Sequence, residues 1–323
     1  METLPRISVI IPTYNRASYL AEAVDSALSQ RGVDVGVIIV DDGSTDDTAD
    51  VVRRRGEQWG ARVAYIAQEN AERCVARNRG FRMATGEYVA FLDSDDVWRE
   101  EHAAACIETL RRFPEAIAAY GEYGLIDAEG RRIHDRVPRA IPSREALPRA
   151  LCLKQIILHP TEVVLRRERL EGEALFDPEI PGAEDWLLWV ELAGRAPIAP
   201  TGQATVWMRN HGAGTFGDPE KFSRSLTLAA EKVLATGMPA RLGLNANRIR
   251  AINRAHCAYA FYLNGKTIAA RRLLREAVKI HRPILLSRDF WTVAVRLLLG
   301  QRISVWIRAH RNRAENPPSG QWQ

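Results

Sequence analysis

One pattern constrains this chain more than any other. Short strand-like runs at Ile7–Ile11, Val37–Val40, Val63–Ile66 and Glu87–Leu92 alternate with helical periodicity at 18–28, 48–55 and 73–84. Short runs rich in Val and Ile suit strands buried on both faces. Their alternation with helices predicts a parallel sheet covered by helices on both faces. Ser18 is placed to cap the first helix, whose apolar face is Leu20, Ala23, Val24, Ala27 and Leu28, and Gly32 marks its exit. In such sheets ligands sit beyond the carboxyl ends of the strands. Three of those ends are polar here: Thr13-Tyr14-Asn15, Asp41-Asp42 and Asp93-Asp95-Asp96. One shared pocket is the expectation.

The later chain is less regular. The pattern predicts a helix over 100–112, strands over 116–127, 161–166 and 204–209, and a helix over 184–193 whose first residues, Glu184 and Asp185, are acidic. The glycine-broken loop HGAGTFGD follows. From Pro219 the pattern is helical throughout. Two amphipathic helices joined at Asn264-Gly265-Lys266 resemble a single tetratricopeptide-type hairpin, and one copy caps a domain rather than forming an array. The expected organisation is an α/β domain over 1–215, divided into two halves (1–98 and 99–215), then a helical region over 216–323.

Asp93, Ser94, Asp95 and Asp96 close an apolar strand with three carboxylates that repel one another. Hard divalent cations such as Mg²⁺ or Mn²⁺ take one or two carboxylates and complete their shell with substrate phosphates. A calcium loop of the EF-hand type fails, because its glycine and terminal acid positions hold Trp98 and Ala104. The bland alternative is a solvated acidic turn. At the second strand end Gly43 permits the tight turn, and Ser44, Thr45 or Asp46 can cap the next helix. Capping alone leaves two acids ahead of the turn unexplained; a carboxylate there can accept hydrogen bonds from a nucleobase or a ribose. Glu184-Asp185, taken alone, reads as an acidic first turn favoured by the helix dipole.

Taken in order, IPTYNR, VDDGSTDDT, QENAERCVARNRG, FLDSDD and AEDWLLW resemble the family 2 glycosyltransferases. The resemblance covers roughly residues 7–210. It implies the GT-A fold, a Rossmann-like, mixed and mostly parallel sheet with helices on both faces, followed here by the C-terminal helical region. It further implies inverting transfer from a nucleotide-sugar donor, most commonly a UDP-sugar, with GDP and dTDP open, to a carbohydrate or lipid-linked acceptor, as in cell-surface polysaccharide or glycolipid synthesis. Pro12, Thr13 and Tyr14 match the loop against the nucleobase, and Asp42 the acid at base or ribose. Arg77 and Asn78 match the element beside the nucleotide. Asp93 and Asp95, with Ser94 between them, match the motif that binds Mn²⁺ or Mg²⁺ and the diphosphate. Asp185 matches the general base, with Glu184 and Trp186 on the acceptor side. Arg209 and His211 match a loop that closes over the diphosphate. One departure is plain: relatives carry glycine after the asparagine of QEN, where this chain has Ala71-Glu72, and Arg73 can offset the added charge.

Two other functions compete. A sugar nucleotidyltransferase opens with a glycine-rich basic phosphate loop, which PTYNR is not. A non-catalytic nucleotide-sugar-binding or scaffold protein has no use for Asp42, Asp93, Asp95 and Asp185 together. No nucleic-acid module is visible despite the net charge of +5. The four scattered cysteines suggest a reduced compartment. The opening residues do not read as a cleaved leader, so a cytoplasmic protein is expected. The segment 284–313 mixes Trp, Leu and Ile with six arginines. A helix of that composition can lie in a membrane interface as a peripheral anchor, pack on the catalytic domain, or form a dimer contact.

Overall fold

The computed structural model describes residues 3–299 apart from 155, 157, 171, 173 and 212–217. The loop HGAGTFGD therefore falls largely, and the arginine-rich segment beyond 299 wholly, outside the described residues. Two compact units divide the chain: residues 1–214 with 235–238, and residues 215–234 with 239–323.

In the first unit, β1 (Arg6–Thr13), β2 (Asp34–Asp41), β3 (Val63–Ala67) and β4 (Tyr88–Phe91) alternate with α1 (Ala17–Leu28), α2 (Thr48–Trp59) and α3 (Glu72–Met83). These four strands are parallel, with β1 between β2 and β4 and β3 outermost. Then come β5 (Val97–Trp98), α4 (His102–Arg112), β6 (Ala118–Ile126), β7 (Arg132–His134), α5 (Leu147–Cys152), β8 (Val163–Arg166), α6 (Glu184–Arg195) and β9 (Ile198–Arg209). The strand order is β3-β2-β1-β4-β8-β6-β9-β5, with β7 paired to β6. β8 is antiparallel to β4 and β6, and β9 runs parallel to β6, so the sheet is mixed beyond β4.

Alternation along β1 sets the two faces. Ile7, Val9 and Ile11 join Val37 and Ile39, the α1 residues Leu20, Ala23, Val24 and Ala27, and Cys106, Ile107 and Leu110 of α4 in one cluster. Ile10 faces the other way, against α3, where Gly80 leaves no room for a side chain. All four cysteines are buried and free. His102 is buried beside Trp98, with Nδ1 2.8 Å from Thr205 Oγ1, and burial pulls it down to about 3.

Several local expectations need correction. α1 starts at Ala17, before Ser18; its first N–H is taken at 3.0 Å by Asp46 Oδ2, from the neighbouring loop. Asp46 also accepts the Thr48 N–H at 3.1 Å, so one carboxylate serves the starts of α1 and α2. β9 begins at Ile198 rather than Ala204, because Pro200 and Gly202 interrupt the alternation. β5 and β7 are too short to show periodicity, and their partners are remote in sequence.

The second unit is helical where described: α7 (Pro219–Ala235, its last residue in the first unit), α8 (Met238–Arg241, shared with it), α9 (Ala246–Leu263) and α10 (Thr267–Ile280). Asn245 caps α9, accepting the N–H groups of Asn247 and Arg248 at 2.8 and 3.3 Å. α9 and α10 form a hairpin through Asn264-Gly265-Lys266, where Gly265 adopts φ 74°. A 3₁₀ turn at Arg282–Leu286 leads into helical residues 288–299.

Gly86 sets how closely β1 and β4 begin. A Cβ there would lie 2.7 Å from Ser8 N and 2.8 Å from Tyr88 O, both backbone atoms. Gly86→Ala is expected to cost roughly 1–3 kcal/mol, read as a lower urea midpoint. An unchanged midpoint would show that the pair has slack.

Candidate active site

The polar ends of β1, β2 and β4 meet as the sequence suggests. Asp42 donates its N–H to the Thr13 carbonyl at 2.8 Å. The two acids after β2 then divide their work. Asp41 is structural: Oδ1 accepts the Ser44 N–H at 2.8 Å and Oδ2 accepts the Tyr65 hydroxyl at 2.7 Å. Asp42 is also buried, but both its acceptor bonds, from Gln68 Nε2 at 2.7 Å and Ala71 N at 2.9 Å, go to Oδ1. Its second oxygen has no hydrogen-bond partner among the described residues. Thr13 Oγ1 is buried without a hydrogen-bond partner among the described residues, and Tyr14 beside it is 46% exposed. Pro12 is buried in β1. Asn15 holds φ 52° and ties the loops together, its Oδ1 accepting the Thr45 N–H at 2.8 Å.

Arg77 occupies the centre. Its side chain is 2% exposed. Nη2 reaches Asp93 Oδ1 at 2.6 Å, Nη1 reaches Glu184 Oε1 at 2.9 Å, and the guanidinium lies 5.0 Å above the Phe176 ring. One arginine thus joins the end of β4 to the start of α6. Burial works to raise the Asp93 pKa, but the adjacent Arg77 charge wins and holds it low. Asp95 points elsewhere: its Oδ2 contacts His211 Nε2 at 2.9 Å and Arg16 Nε at 3.3 Å. Arg16 ends the stretch PTYNR, and nothing local in the sequence ties it to Asp95.

Asp96 is spent on structure. Oδ1 accepts the Arg209 N–H and Oδ2 accepts the Thr161 hydroxyl, both at 3.0 Å. Burial first, then the charges of Asp93 and Asp95, push its carboxyl well above the ordinary range. Ser94 is buried among these acids. Thr161 also accepts the Asp93 N–H at 3.2 Å and so braces the whole turn.

Asp93 and Asp95 present only hard oxygen donors, which suits Mg²⁺ or Mn²⁺ completing its shell with phosphate oxygens. Among the described residues, no three His, Cys, Asp or Glu side chains converge to hold a metal ion unaided. Any such ion would lean on its substrate.

Asp185 stands in the first turn of α6, half-buried, with Oδ1 accepting the Trp186 N–H at 2.7 Å. Burial, reinforced by the charge of Glu184, pushes it up to about 6. Glu184 faces inward to Arg77 and takes the Gly182 N–H, so its carboxylate is not presented to an acceptor. Trp186 is buried too; its indole donates to the Leu151 carbonyl at 2.8 Å, and the Lys154 ammonium lies 4.5 Å from its ring. Trp189 likewise donates to Leu158. These two tryptophans are core.

Two more residues have structural commitments. Asn78 gives its amide wholly to the backbone of Leu175 and Phe176, with three bonds of 2.7 to 2.9 Å. Arg209, 1% exposed, bonds the carbonyls of Asp95, Asp127 and Ala128 and pairs with Glu22 at 2.6 Å. Its five donors leave little for phosphate. His211 stacks on Tyr19 at 5.5 Å, beside Asp95. At the start of α3, Glu72 adopts φ 73°, a left-handed geometry that glycine adopts freely and a side chain resists.

Residues 8–172, just over half of the chain, match the family model for glycosyl transferase family 2. An uncharacterized glycosyltransferase of Rickettsia conorii is 33% identical over 71% of this chain and 37% of its own length. Chondroitin synthase of Escherichia coli is 31% identical over 61% of this chain and 28% of its own. The chain thus spans well under half of either relative. Among solved structures, S. aureus TarS 1–349 in complex with UDP has a TM-score of 0.58 at 21% identity, covering 81% of this chain and 75% of that one. The mannosyltransferase PcManGT of Pyrobaculum calidifontis, in complex with GDP-Man and Mn²⁺, has a TM-score of 0.55 at 21% identity, covering 91% and 87%. Likeness at this level bears on the fold, which is GT-A.

Removing Arg77 would leave Glu184 buried and uncompensated. Arg77→Met is expected to cost about 3–5 kcal/mol in a denaturation experiment. Adding Glu184→Gln should restore part of that loss, whereas additive losses would show the pair to be uncoupled.

Proposed function

The chain belongs to glycosyltransferase family 2, and on that premise we propose that it transfers a sugar from a nucleotide-diphosphate donor to an acceptor hydroxyl. The observation that carries this reading is the bridge from Asp93 through Arg77 to Glu184, which fixes the acidic end of β4 beside the helix bearing Asp185. A diphosphate-binding carboxylate and a base are thereby held in one frame.

The residues divide the task. The open oxygen of Asp42, the Thr13 hydroxyl and the exposed Tyr14 ring receive the nucleoside. Asp93 and Asp95 would hold a divalent ion, which would neutralise the charge of the diphosphate leaving group. Asp185 takes the proton from the acceptor hydroxyl. That oxygen attacks the anomeric carbon as the nucleoside diphosphate departs from the opposite face, which inverts the centre. A carboxyl near 6 is ionised at neutral pH yet basic enough to share a proton in the transition state. A UDP-sugar is the favoured donor, by the UDP complex of TarS; GDP remains in play, by the GDP-Man complex of PcManGT. Chondroitin synthase among the relatives favours polysaccharide assembly.

The second unit offers a membrane contact. Leu286 and Leu298 are 89% and 79% exposed, and Trp291 and Val295 lie exposed on the same turn succession as Leu298. Arg282 and Arg288 flank them. We take this face as a peripheral contact with anionic lipid. No helix among the described residues is long and apolar enough to cross a membrane.

Four measurements test these readings. Calorimetric titration of UDP, GDP and dTDP with and without Mn²⁺ should show metal-enhanced binding of one nucleotide, lost in Asp95→Asn; no binding of any would remove the donor site. The acid limb of the pH–rate profile should fall near pH 6, and Asp185→Asn should lower turnover about 10²–10⁴-fold. Because the fold raises the Asp185 pKa, its stability contribution is present in acid and lost as pH rises through 6. The Asn variant should therefore unfold no earlier than wild type at pH 8; an earlier midpoint would contradict the raised pKa. Finally, Trp291→Ser with Leu298→Ser should reduce flotation with anionic vesicles, and undiminished flotation would locate any membrane contact elsewhere.

A further inference from the structure

A second polar recess lies beside the acidic turn and plays no part in the donor site. Residues 136–140 form a strap over β6, pinned where the Val137 N–H meets the Tyr123 carbonyl at 2.8 Å. Glu122, Arg136, Pro138, Arg139 and Ala140 line a recess of about 400 Å³ beneath and beside it. Glu122 and Glu162 are almost wholly buried. Each is met by an arginine of the strap. Arg136 spans both oxygens of Glu122, at 2.6 and 2.5 Å, and Arg139 approaches Glu162 at 2.8 Å. Arg139 also lies 5.5 Å from each of the Tyr120 and Tyr123 rings. The Tyr120 hydroxyl is fully buried and has no hydrogen-bond partner among the described residues.

This recess is coupled to the candidate active site by chain and by hydrogen bond. Glu162 directly follows Thr161, which braces Asp93 and Asp96. His159 sets its ring edge-on to Tyr123 at 5.7 Å. Two buried carboxylates here cost folding free energy that a purely structural contact between β6 and a loop does not need. Ion-paired carboxylates and guanidiniums offer many acceptors and donors to hydroxyl groups. Arg136 is paired with Glu122 in the lining and Arg139 with the buried Glu162 outside it, so each guanidinium of the lining already has its counter-charge and none is left over for an anionic ring.

We propose that the recess between β6 and residues 136–140 is the acceptor subsite, and that it binds a neutral, hydroxyl-rich sugar ring. The assignment rests on the glycosyl transfer proposed above. Arg136, with its side chain 55% exposed, is the residue a ring would meet first. Glu122 behind it holds the guanidinium in place and accepts ring hydroxyls as the arginine shifts.

The test uses the full chain and ligand-observed NMR saturation transfer to methyl glucoside, methyl galactoside and methyl glucuronide, each with and without UDP and Mg²⁺. UDP binding is titrated separately. Both neutral glycosides should give signal, and both should weaken by about tenfold in affinity in Arg136→Gln and in Glu122→Gln, the cost of a charged hydrogen bond. UDP affinity should not change in either variant. Absence of signal from both neutral glycosides, signal that survives both substitutions, or stronger binding of the glucuronide would overturn the proposal. UDP bound without the glycoside pattern would fail the recess alone. The glycoside pattern without UDP binding would fail the donor reading and leave the recess standing.

Discussion

The buried guanidinium of Arg77 is the constraint on which the first unit turns. An arginine at 2% exposure is tolerable only with its charge met, and here two carboxylates from distant parts of the chain meet it. Asp93 arrives on β4 and Glu184 on α6. Neither strand end nor helix start could move without stranding a charge in a low-dielectric interior. Phe176 closes the arrangement, packing edge-on to Phe91 at 4.9 Å and presenting its face to the guanidinium. The cost of desolvating three ions is offset by their mutual attraction, and the net product is position rather than stability.

Around this bridge the carboxylates separate by environment. Asp93 is held low by Arg77, Asp96 is pushed well up by burial and its acidic neighbours, and Asp185 sits near 6. Three chemically identical side chains thereby acquire three different proton affinities: one carboxylate held ionised, one pushed toward its protonated form as a brace, and one poised between.

What could be read in the sequence follows from the range of the interactions involved. β1 to β4 and α1 to α3 repeat a local pattern, and the polar strand ends announce themselves where the apolar runs stop. The hairpin of α9 and α10 was legible in the same way, through Asn264-Gly265-Lys266. Roles decided by partners far along the chain were not. Asn78 looks like a ligand-facing amide until Leu175 and Phe176 claim it. Arg209 looks like a phosphate clamp until three carbonyls and Glu22 are counted. Trp186 and Glu184 read as acceptor contacts because they adjoin Asp185, yet a helix turns adjacent residues to different faces, and these two face inward. Arg16 and Thr161 carry no local signal at all.

The amide of Asn78 has a mechanical consequence. It reads two N–H groups and one carbonyl of Leu175-Phe176, as a neighbouring strand would. The approach to α6 is thereby fastened to α3 as firmly as if it were part of a ladder. The spacing between α3 and the first turn of α6, where Asp185 stands, is then a property of the folded chain, settled during folding. A ligand that bound between these elements would not have to spend binding energy on assembling them. The same fastening leaves that spacing little freedom to change.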